Sequence, residues 1–212
     1  MRTDDLIADL SIRLEPVRNG ALTRMLAVAV LLGLIGSAIL MLSVLGLRHD
    51  FARAITSFGM WTKLVYTFTI AVVGFWLVER AGRPGADTAQ PVRVLVLPVL
   101  AIVLLAAAQL LAPGADLAHL ILGHSSRVCA FLVTFTAIPT LAASFWALRQ
   151  MAPTRLTLAG LGAGLFAGAA GAFVYSFHCT EGSAPFICIW YSLGIVLTAA
   201  IGGFLGRSLL RW

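Results

Sequence analysis

Six apolar runs dominate this chain, and they leave few folds open to it. They lie near Leu22–Leu47, Trp61–Val78, Val94–Leu111, Val128–Leu148, Leu156–Phe177 and Phe186–Leu205. Each is close to the roughly 17 to 25 residues that carry a helix across the hydrocarbon of a bilayer. In lipid every backbone polar group must be satisfied internally, so continuous apolar runs of this length are read as helices. The composition agrees: 60% of the residues are hydrophobic and 11% are charged, whereas soluble domains carry about a quarter charged residues. The sequence predicts an all-α membrane protein with six transmembrane helices. It divides into a polar N-terminal segment, residues 1–20, and a six-helix transmembrane domain, residues 21–212. No cleavable leader is expected, because a mixed-charge stretch precedes a first run too long for a signal peptide.

An even number of spans puts both termini on one side, and the basic residues say which. Arg2, Arg13, Arg18, Arg24, Arg80, Arg83, Arg93, Arg149, Arg155, Arg207 and Arg211 flank that side, which is 11 of the 15. Arg48, Arg53, Lys63 and Arg127, the other 4, flank the opposite side. Cytoplasmic loops carry the excess of Lys and Arg, so both termini are expected in the cytoplasm. The same bias explains the net charge of +6 without a nucleic-acid partner.

This orientation sorts the reactive side chains. His49, His119, His124 and His178 all fall in or beside the outer loops, as do Cys129, Cys179 and Cys188. The stretch from Phe177 to Tyr191 holds two of the three cysteines, one histidine and Glu181. It reads as a short polar hairpin between the fifth and sixth runs.

In the N-terminal segment Thr3 is a candidate N-cap, with Asp4 and Asp5 in the first turn at the positive end of the helix dipole. Leu6, Ile7, Leu10 and Leu14 fall on one helical face, and Pro16 ends the run. The result is a short amphipathic helix, unstable alone in water and in need of a partner. The membrane interface is one partner. The acidic polar face and the absence of aromatic anchors suit a basic protein groove better.

The fifth run carries Gly160, Gly164 and Gly168 at every fourth position, and the sixth carries Gly202 and Gly206. Small-residue ladders let helix backbones approach closely in membranes. This one serves either helix packing within the chain or a homodimer. Gln109, Thr134, Thr136, Thr140 and Ser144 are the main polar residues inside the spans, each able to bond within its own helix or to a neighbour. No ionisable residue is expected at mid-membrane, which disfavours ion-coupled transport. No nucleotide-binding, zinc-protease or dinucleotide motif occurs, and no catalytic constellation is visible.

The outer thiols admit three readings. A Cys129–Cys179 disulfide would tie two helices together, worth about 3–4 kcal/mol by loop entropy. Two thiolates, with His178 and either His124 or His119, would suit a thiophilic metal. A catalytic dithiol normally needs a closely spaced pair, and the chain has none. Cys188 on an apolar face reads as a small buried hydrophobe. His178 either hydrogen-bonds the loop or, as imidazolium, raises the thiolate fraction of Cys179.

The opening Arg2-Thr3-Asp4-Asp5-Leu6-Ile7, the six spans and Cys129 at the head of the fourth form the first part of a recognisable pattern. His178-Cys179, Pro185-Phe186, Trp190-Tyr191 and the ending Leu209-Leu210-Arg211-Trp212 complete it. Over essentially the whole chain this pattern resembles the NrsF family, bacterial inner-membrane anti-sigma factors that negatively regulate an extracytoplasmic-function sigma factor. The resemblance implies that Thr3, Asp4, Asp5, Leu6, Ile7 and Leu10 hold the sigma factor on the cytoplasmic side. It also implies that Cys129 and Cys179 respond to heavy metals and oxidative stress, with no enzymatic activity and no obligatory cofactor. Cys188 has no place in the pattern. Two other readings are a small transporter or thiol-redox carrier that uses the outer Cys and His residues, and a membrane scaffold recruiting some other soluble protein.

Overall fold

The computed structural model describes residues 21–83 and 85–211. Its six helices, each long and apolar enough to cross a membrane, pack as one bundle. They are α1 (Ala21–Val44), α2 (Phe58–Ala81), α3 (Ala89–Leu110), α4 (Ser126–Met151), α5 (Leu156–Tyr175) and α6 (Ala184–Leu209). Short helices, Phe51–Ala54 and Leu117–Leu122, lie in the connections before α2 and α4. There is no strand among the described residues. The six helical spans are those the apolar runs predict. The expected N-terminal helix with Thr3, Asp4, Asp5, Leu6, Ile7 and Leu10 lies outside the described residues.

Local chemistry moves the helix boundaries from where hydropathy places them. α2 starts at Phe58 because Ser57, in extended backbone, caps it by accepting the Met60 N–H at 3.3 Å. α3 is interrupted at Leu95, where Pro98 has no N–H to offer the Val94 carbonyl. The stretch read as a hairpin is only half a loop. Residues 176–183 are non-helical, but the chain is helical again from Ala184. Pro185, with its φ already set for a helix, starts α6, and a π turn, Ile187–Tyr191, follows at once.

α5 is the centre of the bundle: 72% of its apolar window is buried, against 17% for α3 at the edge. The glycine ladder explains why. A methyl group added at Gly160 would strike the Gly202 carbonyl, and one at Gly164 the Thr198 carbonyl, so α5 and α6 touch backbone to backbone. On its other sides Gly171 faces the Ala137 backbone of α4, and Phe166 meets Gly74 of α2. The ladder is thus occupied within the chain.

α1 packs chiefly on α4, with Leu26, Ala29 and Val30 of its first half buried in the same core. Gly33 sits over the Thr140 backbone, and the Ser37 and Thr140 hydroxyls share a buried hydrogen bond of 2.9 Å. Interhelical hydrogen bonds of this type average about 0.6 kcal/mol in membranes. Thr140→Val is expected to lower unfolding stability in detergent by about that amount, with a Ser37→Ala/Thr140→Val double variant no worse than the single one. The other span polar groups are satisfied as the sequence suggests: Thr136 bonds the Leu132 and Gly171 carbonyls, Ser144 the Thr140 carbonyl, and Gln109 accepts the Ala184 N–H.

The outward faces are apolar. Leu31, Leu32, Ile35, Ile39 and Leu42 of α1 are about half exposed or more, a surface suited to hydrocarbon rather than water. An open groove of about 730 Å³ between α2 and α3, walled by Trp61, Val65, Phe68, Leu97, Ala101 and Leu105, carries no charged side chain.

Contacts group the connections into two ends. At one, the segments after α1, before α4 and before α6 meet, bringing in the cysteines and histidines. At the other, Thr23 and Arg83 both bond Glu79, Arg149 bonds the Leu209 carbonyl, and Arg207 bonds Thr157.

Candidate functional site

Cys129 opens the first turn of α4, and Cys179 lies fifty residues on, in the loop that leaves α5. The fold closes that gap. Both are buried, both thiols are free, and they lie together in one packed cluster, where the Cys129 thiol acts on the Cys179 sulfur. The Ser125 hydroxyl approaches the Cys179 sulfur at 4.0 Å. The Tyr191 hydroxyl, from the π turn of α6, faces the same sulfur from a fully buried position without forming a hydrogen bond in this conformation. π turns within α-helices often mark functional sites, because they re-aim side chains that a regular helix would point elsewhere.

Two cations converge on the backbone of the same residue. The Cys179 carbonyl accepts from Lys63 Nζ at 2.7 Å and from Arg48 Nη1 at 3.1 Å. Lys63 belongs to the second turn of α2 and has 0% exposure. A buried ammonium is costly unless it finds acceptors or a counter-charge. Here its partners are a carbonyl and the thiol pair. Arg48 is fixed by a two-pronged ion pair with Asp50, at 2.6 and 2.7 Å. That pairing holds the Asp50 carboxyl down at about 2, so the clasp stays ionised at any physiological pH. The hydrogen bond from the Cys129 thiol, with the Lys63 ammonium adding to it, holds the Cys179 thiol well below the ordinary thiol range, against the opposing effect of burial.

His178 turns away from this pair. Its Nδ1 donates to the Gly46 carbonyl at 3.0 Å, just beyond the end of α1. The outer histidines do not converge on the thiols either. His119 and His124 stack edge to face at 5.5 Å, and the Glu181 carboxylate accepts the His124 N–H at 2.7 Å. Glu181 also lies against Gly123, where a Cβ would meet the carboxylate at 2.6 Å and φ is +50°. The loop is then pinned to the α3–α4 connection by Ser183, bonding the Leu120 carbonyl at 2.7 Å, and by Trp190, bonding that of Ile121 at 2.9 Å.

Residues 10–212 match the family described as "NrsF: Negative regulator of sigma F". The chain belongs to the NrsF family. A relative named "Probable anti-sigma-F factor NrsF", from Azospira oryzae, is 38% identical over 213 residues, covering 100% of both chains. The "Anti-sigma-F factor NrsF" of Caulobacter vibrioides is 38% identical over 215 residues, again covering 100% of both. No solved structure matches.

In this NrsF-family chain the structure brings Cys129 and Cys179 together and sets His178 beside α1 instead. Among the described residues no three His, Cys, Asp or Glu side chains converge to hold a metal ion. The donor set at the thiols is therefore two sulfurs, a geometry for soft, thiophilic ions of low coordination number. Cys188, half-buried in the π turn of α6, packs against the cluster that holds both Cys129 and Cys179. Two residues were missed by sequence reasoning. Lys63 and Arg48 entered it only as flanking charges, yet both hold the cysteine loop. The signal for Lys63 was available: a lone lysine inside an apolar run, with Gly59, Met60, Tyr66 and Thr67 at helical spacing and no carboxylate to pair it.

Proposed function

We propose that this protein is a membrane-embedded anti-sigma factor. It holds an extracytoplasmic-function sigma factor at the inner membrane through residues 1–20 and releases it when Cys129 and Cys179 capture a thiophilic metal or are oxidised. The names of its relatives, anti-sigma-F factors, support a sigma factor as the partner. The observation that carries the sensing reading is the thiol pair itself, drawn from distant parts of the chain into contact and set beside a buried lysine.

Both termini lie in the cytoplasm, where the basic flanks gather. The helix carrying Thr3, Asp4, Asp5, Leu6, Ile7 and Leu10 offers its apolar face to a groove on the sigma factor, and its acidic residues meet the basic rim. A metal or oxidant drives release only through its differential affinity for the holding and releasing states. Passing from 99% to 1% held takes about 5.5 kcal/mol of bias. The chemistry here is binding and signalling, and no catalysis is involved.

The test is a pull-down of the detergent-solubilised protein from its host, beside a Leu6→Asp/Leu10→Asp variant. The wild type is expected to bring down a sigma factor, and the variant to lose it while keeping its fold. If neither captures one, the assignment is wrong. In cells, Cys129→Ser/Cys179→Ser is expected to keep the sigma factor bound and to abolish its induction. Normal induction in that double variant would remove the sensor role.

A further inference from the structure

The cysteine loop is joined to the end of α1 as well as to the helix it leaves. The Cys179 carbonyl is held by Arg48, the Arg48 N–H donates to the Phe177 carbonyl at 3.2 Å, and His178 bonds the Gly46 carbonyl. Phe177 also meets Phe51, ring centroids 6.1 Å apart. Residues 177–179 are thus bonded point by point to residues 46–51.

That partner segment is stiffly attached to α1. The Leu45 and Gly46 N–H groups both return to the Met41 carbonyl, at 2.9 and 3.0 Å, and Gly46 adopts φ +75°. This is a helix terminus closed on itself, as glycine in the left-handed region allows. Whatever displaces Cys179 displaces the end of α1 rather than a slack linker. Along its length α1 is packed into the bundle: Gly33, Gly36 and Ser37 sit on α4, Leu26, Ala29 and Val30 are buried in the core shared with α2, α4 and α5, and Thr23 bonds Glu79 of α2. At 1.5 Å per residue, roughly 36 Å of continuous helix join the thiol end to Ala21. A shift imposed at the thiol end therefore moves α1 as one rigid element against these contacts, and residues 1–20 join it at its far end.

We propose that Arg48, seconded by His178, is the positioning residue that transmits a change at Cys179 to α1 and so to the N-terminal segment. The proposal rests on the thiol-sensing reading above. Lys63 anchors the same carbonyl to α2, deep in the bundle, and supplies the fixed side against which the loop moves. Joining the Cys129 and Cys179 sulfurs pulls the loop toward α4. The pull reaches α1 through the Arg48 guanidinium, which Asp50 holds in a single orientation.

The experiment uses the full chain in lipid nanodiscs with its sigma factor bound, in a Cys188→Ala background. The probe is diamide, which accepts two electrons and two protons from the two thiols as the disulfide forms and becomes the hydrazine. Disulfide yield is read by mass spectrometry and sigma retention by co-elution. In the unaltered protein, oxidation is expected to release the sigma factor. In Arg48→Met the disulfide is expected to form to the same extent while release falls at least tenfold, and Arg48→Lys to recover part of it. Release from Arg48→Met equal to that of the parent overturns the proposal.

Hydrogen exchange of the 45–50 amides gives a second reading that does not depend on the sigma factor. Oxidation is expected to change it in the parent and not in Arg48→Met. An equal change in both overturns the coupling even if the variant has altered sigma binding. A parent that forms the disulfide, shifts the 45–50 amides and keeps its sigma factor refutes the sensing reading while leaving the mechanical coupling supported.

Discussion

Gly164→Ala is expected to be among the costliest single-methyl changes in the bundle, and Gly164→Leu to leave no monodisperse protein after detergent extraction. The added Cβ would meet the Thr198 carbonyl and lie 2.7 Å from the Ala199 Cα. Both are backbone atoms of α6, so no rotamer change relieves the contact. The helices must separate, and with them go the van der Waals contacts that hold membrane helices together in place of a hydrophobic drive. Overpacking of this kind costs about 1–3 kcal/mol for a methyl group and more for a larger side chain. The Gly59–Gly182 contact supplies the control. A Cβ on Gly59 would lie 2.5 Å from the Gly182 carbonyl, whereas one on Gly182 would lie 3.5 Å from the nearest Gly59 atom, an ordinary contact. Gly182→Ala is therefore expected to stay within about 0.5 kcal/mol of the parent. Thermal unfolding in one detergent, followed by circular dichroism, ranks the variants. Equal melting of Gly164→Ala and Gly182→Ala would mean that α5 and α6 are not in backbone contact.

The difference between what the sequence revealed and what it hid follows the range of the forces involved. A span is a local property: hydropathy over about twenty residues decides it. Glycines four apart on α5 point to close packing for the same reason, since the spacing lies within one helix. Partners are not local. Cys129 and Cys179 could be placed at the same end of the bundle from topology, but not in contact. That depends on how α4 leans on α5 at Gly171 and Ala137.

Neighbours in sequence also misled. His178 and Cys179 share a peptide bond, yet in the loop their side chains diverge, one to Gly46 and one to Cys129. The cation beside the thiol is Lys63, 116 residues away in the chain. Lys63 counts as a flanking charge because α2 begins only five residues earlier. That position gives no hint that the side chain turns inward. The hairpin reading failed at Pro185, where a residue usually associated with turns begins a helix.

At pH 6 Cys179 is expected to react with a small alkylating reagent faster than an ordinary thiol of equal burial, and to lose about tenfold of that rate in Cys129→Ala or Lys63→Met. The thiolate is the nucleophile, and a free cysteine reaches it only near pH 8.5. Here the Cys129 thiol donates to the Cys179 sulfur and the Lys63 ammonium stands near, so the charged form is favoured at lower pH. Each tenfold gain in thiolate costs about threefold in intrinsic nucleophilicity, so two such gains leave a net advantage of about tenfold. Cys129→Ser separates the causes: it keeps a hydroxyl donor, so it should retain most of the rate while losing the ability to form the disulfide. The sign for stability follows. A thiol lowered in the folded state stabilises the fold fully above the ordinary thiol pKa, and that contribution is lost as the pH falls through the lowered value. The parent should therefore weaken on acidification across that window, and Lys63→Met should weaken less. Rates at pH 9.5 are the arbiter, since there an ordinary thiol is already largely ionised and the advantage of a lowered pKa disappears. If Lys63→Met is tenfold slower at pH 9.5 as well, the lysine governs access to the sulfur rather than its charge, and the electrostatic account fails.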